Sequence, residues 1–204
     1  MLGMTALQCA STLVIARHGE AEYEAPTWQE EGGSLTLRGR QQSAQLADSL
    51  ADRRVAHVWT STLARAVQTG EIVAARLGVG VTTRQALSEF HVGDHRGVPL
   101  EEDPFAATYT RWMEGHLDER VPGGETGREI AERVGEVLRE VADAHPGETV
   151  LVVSHGGAIG LGVPYAARMD VPLQRLGNCD TVEVLADADA WVCTRYGAAA
   201  SEPS

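Results

Sequence analysis

Two short apolar runs show the pattern of buried parallel strands. Residues 11–16 (STLVIA) and 149–154 (TVLVVS) are rich in β-branched side chains, and neither alternates strictly between apolar and polar positions. Strands with one face in water alternate, whereas strands covered on both faces do not. We therefore predict two central strands with helices on both sides. Less clearly marked strands are predicted at residues 54–60, at 80–83, and in a late hairpin of 181–185 and 190–196.

Helical periodicity fills the segments between these strands. The clearest helix follows Thr126, because Thr126 and Glu129 fit a capping box in which each side chain satisfies a backbone donor. A His-Pro-Gly sequence at residues 145–147 ends this helix. Thr36 and Ser61 are predicted to cap two earlier helices. The apolar face of the helix after Thr126 is formed by Ile130, Val134, Val137, Leu138 and Val141.

Strands that alternate with helices predict an α/β fold. We expect a three-layer sandwich, in which a mostly parallel central sheet has helices on both faces. The length of 204 residues predicts a single domain, with residues 1–10 and 197–204 as loose ends. Residues 93–124 break the alternation, since they hold three prolines and a patch of aromatic side chains. We interpret them as an insertion near the site that carries one short helix, either a lid or an ordinary packed connection.

Charge and composition narrow the set of partners. The chain has 29 acidic and 17 basic residues, a net charge of −12, which disfavours nucleic acid and anionic membranes as partners. No apolar run reaches the roughly 18 residues that a membrane span needs. Cys9, Cys179 and Cys193 form no metal-type pair and are expected to be reduced thiols. We therefore expect a cytoplasmic protein, and an anionic substrate would need a local cluster of arginines.

Each of the two central strands runs into a His-Gly turn, at His18 and at His155. Ligands of such sheets bind beyond the carboxyl ends of the strands, so the two turns are expected to face one crevice. Arg17 precedes His18, and a guanidinium repels a metal ion but grips a phosphate. An imidazole can attack phosphorus and carry the phosphoryl group. The set therefore favours phosphoryl transfer through a phosphohistidine.

A zinc site is the alternative use of paired histidines. Such a site normally adds a third ligand at a recognisable spacing. His91 and His95 are four residues apart, but Gly93 between them argues against a helix that would align them. We therefore expect no metal and no other cofactor.

Four motifs in order resemble those of the histidine phosphatase superfamily, in its phosphoglycerate-mutase-like branch. A lone RHG triplet is weak evidence, whereas four separated motifs in the family's order are specific. Weaker matches occur at residues 87–89 (LSE) and 122–126 (PGGET), and together the matches span residues 11 to about 185. The four motifs are residues 17–20 (RHGE), 35–42 (LTLRGRQQ), 61–69 (STLARAVQT) and 154–157 (SHGG).

The resemblance implies a role for each matching residue. His18 would be the nucleophile and Glu89 the proton donor, with Glu125 and Glu20 as alternative donors. Arg17, Arg65 and His155 would hold the phosphoryl oxygens. Further contacts to phosphate or substrate are expected from Gly19, Glu20, Ser61, Gly156, Arg96 and Asn178.

The chain departs from the family pattern around the substrate. Members commonly carry Thr after the RHGE motif, where this chain has Ala21. The family's GxWEG sequence is replaced by GDHRG at residues 93–97, so the substrate pocket differs at its rim. Arg96 and Arg111 are the candidate contacts for an anionic group of the substrate.

The resemblance implies a phosphatase that acts on a small phosphorylated metabolite. A mutase is the alternative within the same chemistry, although such mutases tend to be longer than 204 residues. The sequence also leaves open a phosphatase of phosphohistidine proteins, a catalytically inactive binding relative and a metal-dependent hydrolase. The late hairpin, which holds Trp191, is the candidate edge for a homodimer.

Overall fold

The computed structural model describes residues 9–169, 173, 175–188 and 190–197. Within these residues the strands are β1 (Ser11–Arg17), β2 (Ala21–Glu22), β3 (Ser34–Leu35), β4 (Val55–Thr60), β5 (Gly80–Thr83), β6 (Thr149–Ser154), β7 (Thr181–Ala186) and β8 (Trp191–Gly197). The α-helices are α1 (Leu37–Leu50), α2 (Ala64–Leu77), α3 (Ala106–Met113), α4 (Gly127–Ala144) and α5 (Gly156–Ala167). Short 3₁₀ turns lie at Ala51–Arg53, Gln85–Leu87 and Gly93–His95.

Six strands form the central sheet in the order β5-β4-β6-β1-β7-β8. The first four are mutually parallel, and β7 and β8 continue the sheet in antiparallel fashion. The two strands predicted to be buried, β1 and β6, are adjacent at its centre. The expected α/β class, the mostly parallel sheet and the late hairpin are therefore confirmed. Strands β2 and β3 form a separate two-stranded ribbon.

The side chains of β1 explain the three layers. Leu13 and Ile15 pack into a core cluster with residues of α4 and α5, whereas Val14 and Ala16 pack into a second cluster with residues of α1 and α2. Alternate side chains of a strand point to opposite faces of the sheet, so an apolar run must be covered on both sides. The missing alternation in the sequence thus follows from burial on both faces.

Helix starts agree with the sequence at two positions and differ at a third. Thr36 caps α1 by accepting a hydrogen bond from the Gly39 amide, and Thr126 caps α4 with the predicted capping box. Ser61 does not cap α2, which begins at Ala64 after Leu63. The prediction for Ser61 is wrong because α2 begins only at Ala64, and the Ser61 hydroxyl accepts the Leu63 amide at 3.3 Å, before the helix starts.

The insertion carries one α-helix, α3, as predicted, and a 3₁₀ turn at Gly93–His95.

Of the predicted loose ends, residues 1–8 and 198–204 lie outside the described residues, as does Asp189 of the hairpin turn. Gly197 ends β8, and the Cys9 carbonyl accepts a hydrogen bond from Gly147. No described helix combines the length and the apolar character that crossing a bilayer requires. The homodimer edge at β8 stays a prediction.

Candidate active site

The register of β1 against β6 brings the two His-Gly turns together. Arg17 at the end of β1 is paired with Ser154 at the end of β6. The next residue of each strand is a histidine, and the ring centroids of His18 and His155 lie 5.0 Å apart. The expected common crevice at the carboxyl ends of the strands is therefore present in the structure.

The neighbours of His18 determine which ring nitrogen carries the proton. Nδ1 lies 2.7 Å from the Gly19 carbonyl oxygen, which can only accept, and Nε2 receives the Arg65 Nε–H at 3.2 Å. The hydrogen is therefore on Nδ1, and Nε2 holds a lone pair. Burial, followed by the charge of Arg65, lowers the pKa of His18 to about 3, so the ring is neutral at pH 7. A neutral imidazole is a nucleophile through this lone pair, which becomes free to attack when the Arg65 hydrogen bond leaves Nε2.

His155 is fully buried and is held by Ser61. The Ser61 hydroxyl lies 2.7 Å from His155 Nε2. Burial, followed by the charge of Arg65, lowers the pKa of His155 well below its ordinary value. Its Nδ1 is buried and makes no hydrogen bond within the described part of the chain. An unpaired buried nitrogen is costly, which marks this ring edge as a candidate ligand contact.

Two arginines next to His18 are fixed by backbone carbonyls. Arg17 Nη1 donates to the Leu176 carbonyl at 2.8 Å, and Arg65 Nη1 donates to the Gly32 carbonyl at 2.8 Å. Both guanidinium groups line the same cleft. Burial lowers the pKa of Arg17, and the neighbouring Glu89 opposes this effect. Because each guanidinium has five N–H donors, both keep donors free for an anionic ligand.

Glu89 lies at the N-terminus of α5. Its Oε2 accepts a hydrogen bond from the Gly157 amide at 3.0 Å, and its Oε1 accepts one from the Ala158 amide at 2.9 Å. The carboxylate thus satisfies amides that the helix leaves unpaired. A Cβ atom on Gly157 would lie 2.6 Å from Glu89 Oε1, so this approach requires glycine.

Arg133 of α4 holds the backbone that carries Glu89. Arg133 Nη1 donates to the carbonyls of Ala86 and Ser88 at 2.8 Å each, and Nη2 donates to the Glu89 carbonyl at 3.2 Å. The Glu125 carboxylate pairs with the same guanidinium at 2.6 and 3.0 Å. Glu125, expected as an alternative proton donor, is thus committed to an ion pair and does not line the cleft.

A cleft of about 190 Å³ opens above these groups. Two segments form its outer part: one holds Trp28, Gln29 and Glu30, and the other runs from Val92 to Ala106. Backbone hydrogen bonds join these two segments. The Trp28 amide donates to the Val98 carbonyl at 2.8 Å, and the Gly97 amide donates to the Trp28 carbonyl at 2.9 Å. Side chains around the cleft include Arg17, His18, Tyr23, Trp28, Gln29, Glu30, Leu63, Arg65, Glu89, Phe90, Val92, Asp103, Phe105, Ala106, Tyr109 and Arg175.

The histidines considered as zinc ligands are not assembled into a metal site. His95 packs edge to face on Phe105, with ring centroids 5.3 Å apart. The described residues contain no group of three or more His, Cys, Asp or Glu side chains placed to bind a metal ion.

The model of the histidine phosphatase superfamily, branch 1, matches residues 13–199. The chain belongs to this family. Phosphoglycerate mutase-like protein 4 of Arabidopsis thaliana is 31% identical over 193 residues, which cover 91% of this chain and 84% of the relative. A probable phosphoglycerate mutase of Shigella boydii is 29% identical, and the match covers 89% of this chain and 88% of the relative.

Solved histidine phosphatase folds are also similar to this chain. The YhfR protein of Bacillus stearothermophilus superposes with a TM-score of 0.76 at 26% identity, over 91% of this chain and 96% of that one. A mycobacterial glucosyl-3-phosphoglycerate phosphatase superposes with a TM-score of 0.78 at 25% identity, over 92% and 99% of the two chains.

The other residues expected from the histidine phosphatase motifs lie in different places. Gly156 lines the cleft. The Gly19 amide donates to the Thr69 hydroxyl, and Asn178 Nδ2 donates to the His18 carbonyl at 3.0 Å, so both hold the backbone of the His18 turn. Glu20 accepts from the Thr36 hydroxyl at 2.8 Å and does not line the cleft.

The arginine that reaches the outer cleft is not one of those expected. Arg96 is exposed, lies 3.9 Å from the Glu30 carboxylate and does not line the cleft. Arg111 does not line the cleft either and pairs with Glu114. Arg175 lines the cleft instead, from the segment between α5 and β7. Asn178 was the contact expected from that segment, and no motif or periodicity marks Arg175.

Proposed function

We propose that this histidine phosphatase family member is a metal-independent phosphatase that hydrolyses a small phosphorylated metabolite through a phosphohistidine on His18. The observation that carries the proposal is the neutral His18 ring, whose Nε2 lone pair lies 3.2 Å from the Arg65 guanidinium. A nucleophile next to a fixed cation is the arrangement that attack on a phosphoryl group requires.

In the first step the phosphoryl group moves to the enzyme. The hydrogen bond of the Arg65 Nε–H moves from His18 Nε2 to a phosphoryl oxygen, and the freed Nε2 lone pair forms a bond to phosphorus. The ester P–O bond breaks with its electron pair on the leaving oxygen. Protonated Glu89 gives its proton to that oxygen, so that an alcohol leaves. Arg17 and Arg65 neutralise the charge on the phosphoryl oxygens. Ser61 donates to His155 Nε2, which leaves Nδ1–H of His155 for one of these oxygens.

In the second step water releases the phosphate. Glu89, now a carboxylate, takes a proton from a water molecule, whose oxygen forms a bond to phosphorus. The P–N bond breaks, its electron pair returns to His18 Nε2, and inorganic phosphate leaves. Glu89 ends the cycle protonated, as it began. One lone pair of its Oε2 is free for this proton, because the other accepts the Gly157 amide.

The test is rapid quenching of the enzyme mixed with ³²P-labelled phosphate esters in the presence of EDTA. We expect an acid-labile, alkali-stable phosphoprotein, release of inorganic phosphate, and loss of both in His18→Asn. Inhibition by EDTA would favour a metal-dependent hydrolase. Absence of any phosphoprotein and of phosphate release would favour the inactive binding relative.

A mutase is the second candidate function, because the similar proteins of Arabidopsis thaliana and Shigella boydii are named as a phosphoglycerate mutase-like protein and a probable phosphoglycerate mutase. A mutase would return the phosphoryl group from His18 to a second hydroxyl of the substrate. Incubation with 3-phosphoglycerate, followed by separation of the products, distinguishes the two outcomes. Free glycerate with inorganic phosphate supports the phosphatase, and 2-phosphoglycerate supports the mutase.

A further inference from the structure

Three aromatic side chains form one side of the cleft. This aromatic wall consists of Trp28, Phe90 and Phe105, which all line the cleft. The ring centroids of Trp28 and Phe105 are 5.1 Å apart, and those of Phe90 and Phe105 are 5.3 Å apart, both edge to face. Such packing is favourable for quadrupolar rings and holds Trp28 and Phe90 on either side of Phe105, which is 4% exposed.

The aromatic wall is fixed before any ligand binds. The Trp28 indole N–H donates to the Glu102 carbonyl at 2.9 Å. Phe90 also packs edge to face on Trp112, which is 1% exposed. Rings that are already ordered lose little conformational freedom on binding, so the apolar area they offer contributes almost fully to affinity.

The position of the wall relates it to the leaving group. Phe90 directly follows Glu89, the proposed proton donor, and a Cβ atom on Gly157 would lie 2.8 Å from the Phe90 ring. The wall therefore begins where the ester oxygen receives its proton. We therefore expect the alcohol attached to that oxygen to lie along the wall.

We propose that the aromatic wall is the alcohol subsite, and that the substrate is a phosphate monoester of an alcohol with a flat apolar or aromatic body. This inference rests on the proposed phosphatase function. A small polyol would leave the wall without a partner, and would gain nothing from contact with apolar rings.

Two esters of primary alcohols give a matched comparison, because their leaving groups have similar intrinsic reactivity. We expect kcat/KM for benzyl phosphate to exceed that for glycerol 3-phosphate by about tenfold or more, from burial of the ring. An equal or higher kcat/KM for glycerol 3-phosphate would overturn the subsite.

Variants of Trp28 test the wall itself. Trp28→Asn is expected to lower kcat/KM for benzyl phosphate about tenfold and to change that for glycerol 3-phosphate less than twofold, whereas Trp28→Phe retains most of the preference. Trp191→Asn on β8 is the matched control, since Trp191 does not line the cleft. An equal fall with both esters would contradict the subsite.

A binding measurement separates this inference from the proposed function. Calorimetry on His18→Asn requires no turnover, and we expect benzyl phosphate to bind about tenfold more tightly than glycerol 3-phosphate. If the wild-type protein hydrolyses neither ester but this preference is found, the phosphatase proposal fails and the subsite stands. If both esters are hydrolysed and bind equally, the subsite fails and the phosphatase stands.

A separate observation, the three carbonyls held by Arg133, carries a second inference. The structure assigns Arg133 as a positioning residue for Glu89, because its guanidinium fixes the backbone from Ala86 to Glu89 while Glu125 fixes the guanidinium. Proton donation depends on placing the carboxyl within hydrogen-bond reach of the ester oxygen. This role also rests on the proposed function.

The dependence on the leaving group tests that role. Benzyl alcohol needs a proton to leave, whereas 4-nitrophenol leaves readily as an anion. Arg133→Met is expected to lower kcat/KM for benzyl phosphate about tenfold and that for 4-nitrophenyl phosphate less than threefold, with partial rescue in Arg133→Lys. Arg76→Met is the matched control, because exposed Arg76 of α2 pairs with Asp48 of α1 and does not line the cleft.

The outcomes distinguish a positioning role of Arg133 from a purely structural one. An equal fall with both esters in Arg133→Met would indicate a purely structural role and overturn the assignment. Absence of turnover by the wild-type protein with either ester would instead overturn the proposed function, and with it this role.

Discussion

The two ends of the cleft are built in different ways. The phosphate end, which is the proposed phosphate site of Arg17, His18, Arg65 and His155, is fixed by the ends of adjacent strands and the start of α2. The outer cleft is formed in part by two irregular segments that are joined to each other at Trp28 and Val98. The register of the sheet determines the geometry of the phosphate end. A contact between segments far apart in the sequence determines the geometry of the outer cleft.

This difference explains why one end is recognisable from sequence and the other is not. Reaction chemistry at the phosphate end depends on short motifs that follow strands, so each motif carries its own structural context. The outer cleft depends on which two loops meet, and no local pattern records that meeting. Substitutions at the phosphate end are therefore expected to change the reaction, and substitutions in the outer cleft to change the choice of substrate.

The largest effect is expected from loss of the nucleophile. In His18→Asn no lone pair is available to attack phosphorus, so kcat/KM should fall about 10³-fold or more. Phosphate release from the best ester measures this, and circular dichroism controls for folding. More than a tenth of the wild-type activity in the variant would show that His18 is not the nucleophile.

A smaller fall in kcat/KM is expected when a positive charge remains beside His18 but the planar guanidinium is lost. In Arg65→Lys the ammonium cannot bond both to His18 and to the Gly32 carbonyl in the same planar geometry, so kcat/KM should fall about 10²-fold. Arg84→Lys is the control, because Arg84 pairs with Glu140 outside the cleft. A change below threefold would show that charge alone is sufficient at this position.

The low pKa of His18 makes the phosphate end sensitive to acid. In the native state the ring stays neutral down to about pH 3, whereas the unfolded ring takes up a proton near its ordinary value of 6.5. Below that value the unfolded state binds more protons, so stability falls as the pH falls. In His18→Asn the loss of unfolding free energy between pH 7.5 and pH 5 should be smaller by about 2 kcal/mol.

Urea unfolding of the two proteins at the two pH values measures this difference. His155 shifts in the same direction and is present in both proteins, so its contribution cancels except for the part of its shift that the charge of His18 causes. An identical pH dependence of stability in the two proteins would mean that His18 does not titrate anomalously.

The smallest effects are expected from arginines around the outer cleft. Arg96→Ala should change KM less than twofold, because Arg96 is exposed and lies outside the cleft lining. Arg175→Ala should raise KM about threefold, because Arg175 lines the cleft and adds positive potential there for the proposed anionic substrate. Steady-state kinetics on one ester at several salt concentrations compares the two variants. The reverse ranking would place the anion contact at Arg96.

Particular residues show how far the sequence predicts this structure. The strand assignments at β1 and β6 are confirmed, because burial on both faces produces an unbroken apolar run that can be recognised. The start of α2 was predicted at Ser61 and is wrong, since a serine that bonds a distant histidine has the same local sequence as a helix cap. Arg133 lies in a regular helix, and only the folded chain shows that its guanidinium reaches three carbonyls of another segment.

The contact between Glu89 and α5 links the charge of a side chain to the rate at which backbone amides exchange with deuterium. A carboxylate is a stronger hydrogen-bond acceptor than a neutral carboxyl group, so the amides of Gly157 and Ala158 are held more firmly when Glu89 is ionised. Removal of this charge in Glu89→Gln should therefore speed deuterium uptake at two adjacent backbone positions. The first turn of α5 thus reports the charge on residue 89 without any need for turnover.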